Sequence, residues 1–176
     1  MPTEFIEKDE RGQVRERYFE DEEGRLEGVA THYDDEGRLV QESHWRAGTL
    51  HGPMSLYDPD GQVVQRVMFV DGQLHGPAEL QDEQGHVRML FGFQEGRLHG
   101  ELLAWQDGQP LVKHSLAEGR HVGPLELYEE GRLTRRVLFE AVAQKSSMDL
   151  PMEEEPRARE PLPTWLHGWL RGGSGT

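Results

Sequence analysis

Nine histidines and no cysteine make metal ligation the first chemistry to weigh, because His51, His75 and His99 recur at one position of three successive segments. Imidazoles can share a zinc ion only if each brings a ring nitrogen to about 2.0–2.1 Å from it. On successive hairpins, equivalent positions lie two strands apart, about 9.6 Å. The row therefore predicts no three-histidine centre; a histidine that fills a turn or bonds a neighbouring carbonyl is expected. Without cysteine there is no thiolate site and no disulfide framework. Carboxylates gather at Glu20-Asp21-Glu22-Glu23 and Asp34-Asp35-Glu36, but neither run has the D-x-[DN]-x-[DN]-G-x₅-E spacing of a calcium loop, and solvated turns are expected. Ser43, Ser55 and Ser115 sit in strand-like stretches without a glycine elbow or a converging base. The chain reads as non-enzymatic, with no catalytic residue, metal or cofactor.

Side chains suited to binding are better placed. Tyr33, Tyr57, Trp105 and Tyr128 each stand just before an acidic turn, and Glu79 and Glu126 alternate with apolar residues in the same strands. Large rings carry a disproportionate share of interface energy, and the polar edges of Tyr and Trp suit a half-wet contact surface. The other reading of this row is stacking along the sheet, at about 0.2–1 kcal/mol per pair. Both stay open. Trp45, Phe69, Phe93 and Phe139, at the ends of the second strands, read as stacking residues.

These side chains need a frame that repeats, and the glycines supply one. They stand as Gly24/Gly28/Gly37, Gly48/Gly52/Gly61, Gly72/Gly76/Gly85, Gly96/Gly100/Gly108 and Gly119/Gly123/Gly131. A fixed period of this kind marks one supersecondary unit stacked on copies of itself. The first two glycines are always four apart and the third precedes the next unit by eleven; only the second-to-third gap varies, nine and then eight. That gap must hold a loop, and short acidic runs ending in glycine occupy it. After the second glycine, Met54/Leu56, Ala78/Leu80, Leu102/Ala104 and Leu125/Leu127 alternate with Ser55, Glu79, Leu103 and Glu126, the period of a half-buried strand. Val63–Phe69 and Val87–Phe93 are β-branched and aromatic. Each unit predicts a β-hairpin. A helix-pair reading fails, since three glycines per unit would cost a helix about 1 kcal/mol each.

The recurring G-x-L-H-G-P, as in Gly48-Thr49-Leu50-His51-Gly52-Pro53-Met54-Ser55-Leu56-Tyr57, resembles the MORN repeat, and more closely a bacterial variant found in a family of toxin–antitoxin antitoxins. The resemblance covers about Gly24 to Glu140, with a degenerate unit around Gly12. Gln81 stands where the other units carry an aromatic ring, and His121-Val122 inverts the Leu-His pair. The family implies an all-β, elongated single-layer antiparallel sheet of five to six tandem hairpins, used for tethering or protein–protein contact. With candidate strands near Phe5-Ile6 and Val14 to Phe19, about a dozen strands are expected.

Composition narrows the partner. A net charge of -14 argues against nucleic acid, whose phosphates demand a basic footprint, and against unaided binding to anionic lipid. The expected partner is a basic protein, and the antitoxin resemblance implies a toxin or secreted effector that is neutralised or chaperoned. A hydrophobic content of 35% and a mean hydropathy of -0.77 fit a single-layer sheet. The start Met1-Pro2-Thr3-Glu4 carries no basic-then-apolar pattern, so a cytoplasmic protein is expected, and the missing Asn with Arg far above Lys fits a GC-rich bacterial genome. Residues 1–140 read as the repeat domain, 141–160 as a flexible acidic, proline-containing linker, and 161–176 as a docking segment. Trp165, Leu166, Trp169 and Leu170 share one face of a short helix, too short to persist undocked. Folding back on the sheet and capture by a partner are both open, and beside Arg171 the segment makes a membrane tether the alternative function. Homodimers through unpaired sheet edges are also open.

Overall fold

Residues 1–139 are described by a computed structural model; the linker and the segment with Trp165, Leu166, Trp169 and Leu170 lie outside the described residues. The described chain has no helix and forms one open antiparallel sheet. Its main strands are β1 (Thr3–Lys8), β2 (Val14–Glu20), β3 (Gly28–Tyr33), β4 (Leu39–Arg46), β5 (Thr49–Tyr57), β6 (Val63–Val70), β8 (Gly76–Gln81), β9 (Val87–Gln94), β11 (Gly100–Gln106), β12 (Gln109–Ala117), β14 (Leu125–Glu129) and β15 (Arg132–Val137). Each pairs with the next in that order, while the two-residue β7 (Gln73–Leu74), β10 (Arg97–Leu98) and β13 (Arg120–His121) pair with β6, β9 and β12. The tandem-hairpin expectation is the observed fold.

The three glycines of each unit have separate jobs. In the last four units the first closes a two-residue turn: Ala47, Asp71, Glu95 and Glu118 take positive φ immediately before Gly48, Gly72, Gly96 and Gly119, which do the same, whereas Gly24 ends an Asp21 turn. Paired positive φ values give the type I′ turn, whose twist matches the strands it joins. The same glycine N–H groups donate to the carbonyls of Leu26, Leu50, Leu74 and Leu98 in the preceding unit, which stitches repeat to repeat. At Gly52 and Gly123 the second glycine makes room for a neighbouring side chain. A Cβ on Gly52 would lie 3.0 Å from His44 Cβ, and in the fourth unit the roles shift, since a Cβ on Gly92 would lie 2.5 Å from the His99 carbonyl oxygen.

The third glycine ends the acidic turn, and the acids there do more than stay solvated. In the longer form Asp34 N–H donates to Arg38 O while Gly37 N–H donates to Asp34 O, and Asp34 Oδ1 accepts from the N–H groups of Glu36 and Arg38. Asp9, Asp21, Asp58 and Asp82 repeat that arrangement. Where the gap shortens, Asp107-Gly108 and Glu130-Gly131 take paired positive φ instead. Both forms leave a β-bulge at the same rung, between His32/Tyr33, Leu56/Tyr57, Leu80/Gln81, Ala104/Trp105 and Leu127/Tyr128. One residue is thus lost from the turn while the pairing beyond it keeps its faces.

Two adjacent rows of directly opposed residues cross all twelve main strands. One runs Glu7, Glu16, His32, Gln41, Leu56, Gln65, Leu80, Met89, Ala104, Val112, Leu127, Arg135. The other is Ile6, Arg17, Thr31, Glu42, Ser55, Arg66, Glu79, Leu90, Leu103, Lys113, Glu126, Arg136. Neighbours along a strand point to opposite sides, so the rows mark two faces. Apart from Ser55, the buried residues Ser43, Gln65, Val67, Ala78, Ala104, His114 and Leu116 belong to the first, which we term the core face; the second is the ladder face.

Candidate functional site

The sequence-expected binding residues fall on the ladder face. Tyr33, Tyr57, Trp105 and Tyr128 lie two residues beyond Thr31, Ser55, Leu103 and Glu126, so period two aims them the same way, and all four are half-buried. Gln81 takes the aromatic position beside Glu79, and its amide donates to that carboxylate at 3.4 Å. The last unit repeats the link in stronger form, Tyr128 Oη donating to Glu126 Oε2 at 2.8 Å. Among the described residues, none of the four rings contacts another of them. The reason is the hairpin period, which sets equivalent positions two strands apart, about 9.6 Å. Three of the rings border separate surfaces: Tyr33 an open hollow of about 520 Å³ with Ile6, Val14 and Arg17, Trp105 one of about 600 Å³ with Asp82, Arg88 and Asp107, Tyr128 one of about 320 Å³ with Pro110 and Leu111.

Charge alternates along the ladder. Arg17 pairs with Glu4, Lys113 Nζ lies 2.9 Å from Glu101 Oε1, and Arg136 Nη2 lies 2.6 Å from Glu126 Oε1. The bond from Tyr128, then the one from Arg136, holds the Glu126 carboxyl below its usual range. That same bond, with burial, pushes the Tyr128 hydroxyl up, and Glu101 raises Lys113. Arg66, opposite Ser55 and Glu79, has no ion-pair partner among the described residues. The surface is therefore a strip of alternating rungs with one free guanidinium near its centre.

The stacking expected of Trp45, Phe69, Phe93 and Phe139 does not join them to one another, for the same spacing reason. Trp45 Nε1 donates to buried Ser43 Oγ at 2.9 Å, Phe93 meets Phe91 edge-on at 5.6 Å, and Phe139 stacks on His121 at 4.0 Å. Of the recurring histidines, His51 Nδ1 lies 3.3 Å from Asp71 Oδ1, and the backbone N–H groups of His75 and His99 donate to Met68 and Gly92. Among the described residues no group of three or more acidic or histidine side chains is placed to hold a metal ion.

Sequence reasoning missed two features. His114, buried against Pro124 O at 3.2 Å, meets His121 with Nε2 and Nδ1 at 2.6 Å. A core-face hollow of about 550 Å³ is lined by Glu7, Glu16, Tyr18, Glu20, His32 and Trp45. No spacing rule links these residues; only the strand register brings them together.

An open sheet of stacked hairpins with a laterally repeated surface is a tandem-repeat architecture. The family model described as a MORN repeat variant matches residues 50–71, the hairpin of β5 and β6, which supports reading the chain as a MORN-repeat protein. MORN repeats are commonly protein-binding or membrane-binding modules. No curated protein matches the chain.

Proposed function

We propose that the chain is a non-enzymatic protein-binding scaffold whose ladder face captures one protein and holds it neutralised or chaperoned, as an antitoxin, immunity protein or secretion accessory would. The observation behind this reading is the in-register row of twelve rungs with Tyr33, Tyr57, Trp105 and Tyr128 beside it. Chemically equivalent groups side by side suit a long contact better than one small molecule. The partner is a cytoplasmic toxin or effector with basic patches, which complement a chain of net charge -14. Trp165, Leu166, Trp169 and Leu170 add a second anchor, tethered to the first and so acting at high effective concentration.

Affinity purification from the native host tests this, with Tyr57→Ala/Trp105→Ala and Trp165→Ala/Trp169→Ala compared with the unaltered chain. Each pair should cut recovery of one and the same partner; undiminished recovery by both would sink the proposal. Co-sedimentation with liposomes addresses the tether reading. Binding that survives without any protein partner and vanishes with Trp165→Ala/Trp169→Ala would replace the scaffold by a membrane anchor.

A further inference from the structure

The two edges of the sheet carry opposite charge. Strand β15 brings Arg132, Arg135 and Arg136 and no carboxylate, in a chain that is otherwise strongly acidic; β1 brings Glu4 and Glu7 against Lys8. Both strands are almost wholly exposed, and among the described residues neither has a partner on its outer side. Like edges repel, chiefly through Arg135 against its own copy and Glu7 against its own, since Glu4 and Arg136 are already paired with Arg17 and Glu126; this disfavours a symmetric dimer built on either edge. Unlike edges attract.

The register supplies a second, independent reason. Glu7 stands directly opposite Glu16, a like-charge pair that destabilises a sheet; the Tyr18 hydroxyl donates to Glu7 and the His32 ring lies 3.2 Å from Glu16, but no guanidinium or ammonium pairs with either carboxylate among the described residues. At the far edge Arg135 stands opposite Leu127 and has no ion-pair partner among the described residues. These two mismatches are the ends of one row, and Ile6 and Arg136 are the ends of the row beside it.

We propose that β15 of one copy pairs antiparallel with β1 of the next, Arg136 opposite Ile6 and Arg135 opposite Glu7, so that the sheet continues head to tail through successive copies. In that register Arg135 relieves the Glu7–Glu16 repulsion, Val137 meets Phe5 on the core face, and Glu4 lies diagonal to Arg136 on the ladder face. A register shifted by two residues would set Leu133 against Glu7 and leave the repulsion standing. The contact is heterologous, and heterologous contacts grow into rings or open filaments. It lengthens the binding surface without requiring that any particular partner be bound.

Sedimentation of the full chain across a wide concentration series tests this. The weight-average mass should at least double with concentration and fall back at high salt. Arg135→Glu/Arg136→Glu and Glu4→Arg/Glu7→Arg should each be monomeric, while their equimolar mixture should assemble again, because each restores the other's missing edge. A chain that stays monomeric throughout, or a charge-reversed variant that assembles alone as the unaltered chain does, would overturn the proposal. Should a reversed variant fail to fold, Ile6→Cys/Arg136→Cys in this cysteine-free chain should give a ladder of covalent multimers on mild oxidation. Absence of that ladder would likewise overturn it.

Discussion

Arg66 and Val67 are neighbours in β6 with opposite surroundings: Val67 is 2% exposed on the core face, whereas Arg66 is exposed on the ladder face and has no ion-pair partner among the described residues. One face gathers Gln65, Val67, Ala78, Ala104 and Leu116 and keeps water from the sheet; the other alternates charge and presents half-wet rings. The contrast shows how a single-layer sheet divides labour by side-chain parity. Stability is concentrated on one face, which leaves the other free to be chosen for contact.

That division is open to direct attack. Val67→Ala removes two buried carbons and should cost about 2–3 kcal/mol in urea unfolding, while Arg66→Ala should stay within about 0.5 kcal/mol; equal costs would erase the distinction. Gly92→Ala should cost about 1–3 kcal/mol, because the new Cβ would lie 2.5 Å from the His99 carbonyl oxygen and only the backbone can yield. Two buried serines sharpen the comparison further. Ser43→Ala strips the Trp45 indole of its acceptor and should cost about 1 kcal/mol, whereas Ser55→Ala, which removes no side-chain hydrogen bond found among the described residues, should cost less.

The smallest expected effect is one of pH. Glu126 is held below its ordinary range, first by Tyr128 and then by Arg136. A lowered folded value means that its stabilisation is complete above the unfolded value, about 4.3, and fades as pH falls through the folded one. Urea midpoints followed downward from neutral pH should therefore drop below about pH 4, with a shallower decline in Glu126→Gln; parallel curves would remove the ladder network from the account. Asp9 and Asp21 act in the same direction, their carboxyls lowered chiefly by the backbone N–H groups of Gln13 and Arg25.

Much of this was legible in the chain itself. The constant glycine spacings marked the hairpin unit and the variable gap placed its acidic loop, and alternation after the second glycine separated Leu56 from Ser55 and Tyr57; the type I′ turns at the first glycines show only in the backbone angles. The Asp-x-x-Gly runs were visible as turns, but that Asp34 and its equivalents hold backbone N–H groups was not read from them. Cross-strand partners were harder still. Each bulge adds an extra residue, such as Val64 or Arg88, between the aromatic rung and the row beside it, so counting along the sequence gives a residue's face but not its neighbour across the gap. The His114–His121 pair and the opposition of Glu7 to Glu16 were illegible for that reason.

What the sequence alone determined is the unit: where backbone must turn with positive φ, and which side chains share a face, because both are local properties of a few residues. What only the tertiary structure decided is the alignment of unit upon unit. Rungs are set by the pairing of neighbouring strands, which brings together residues well separated along the chain, such as Glu7 with Glu16 and Gln65 with Leu80, and that pairing fixed which charges meet and what each edge offers.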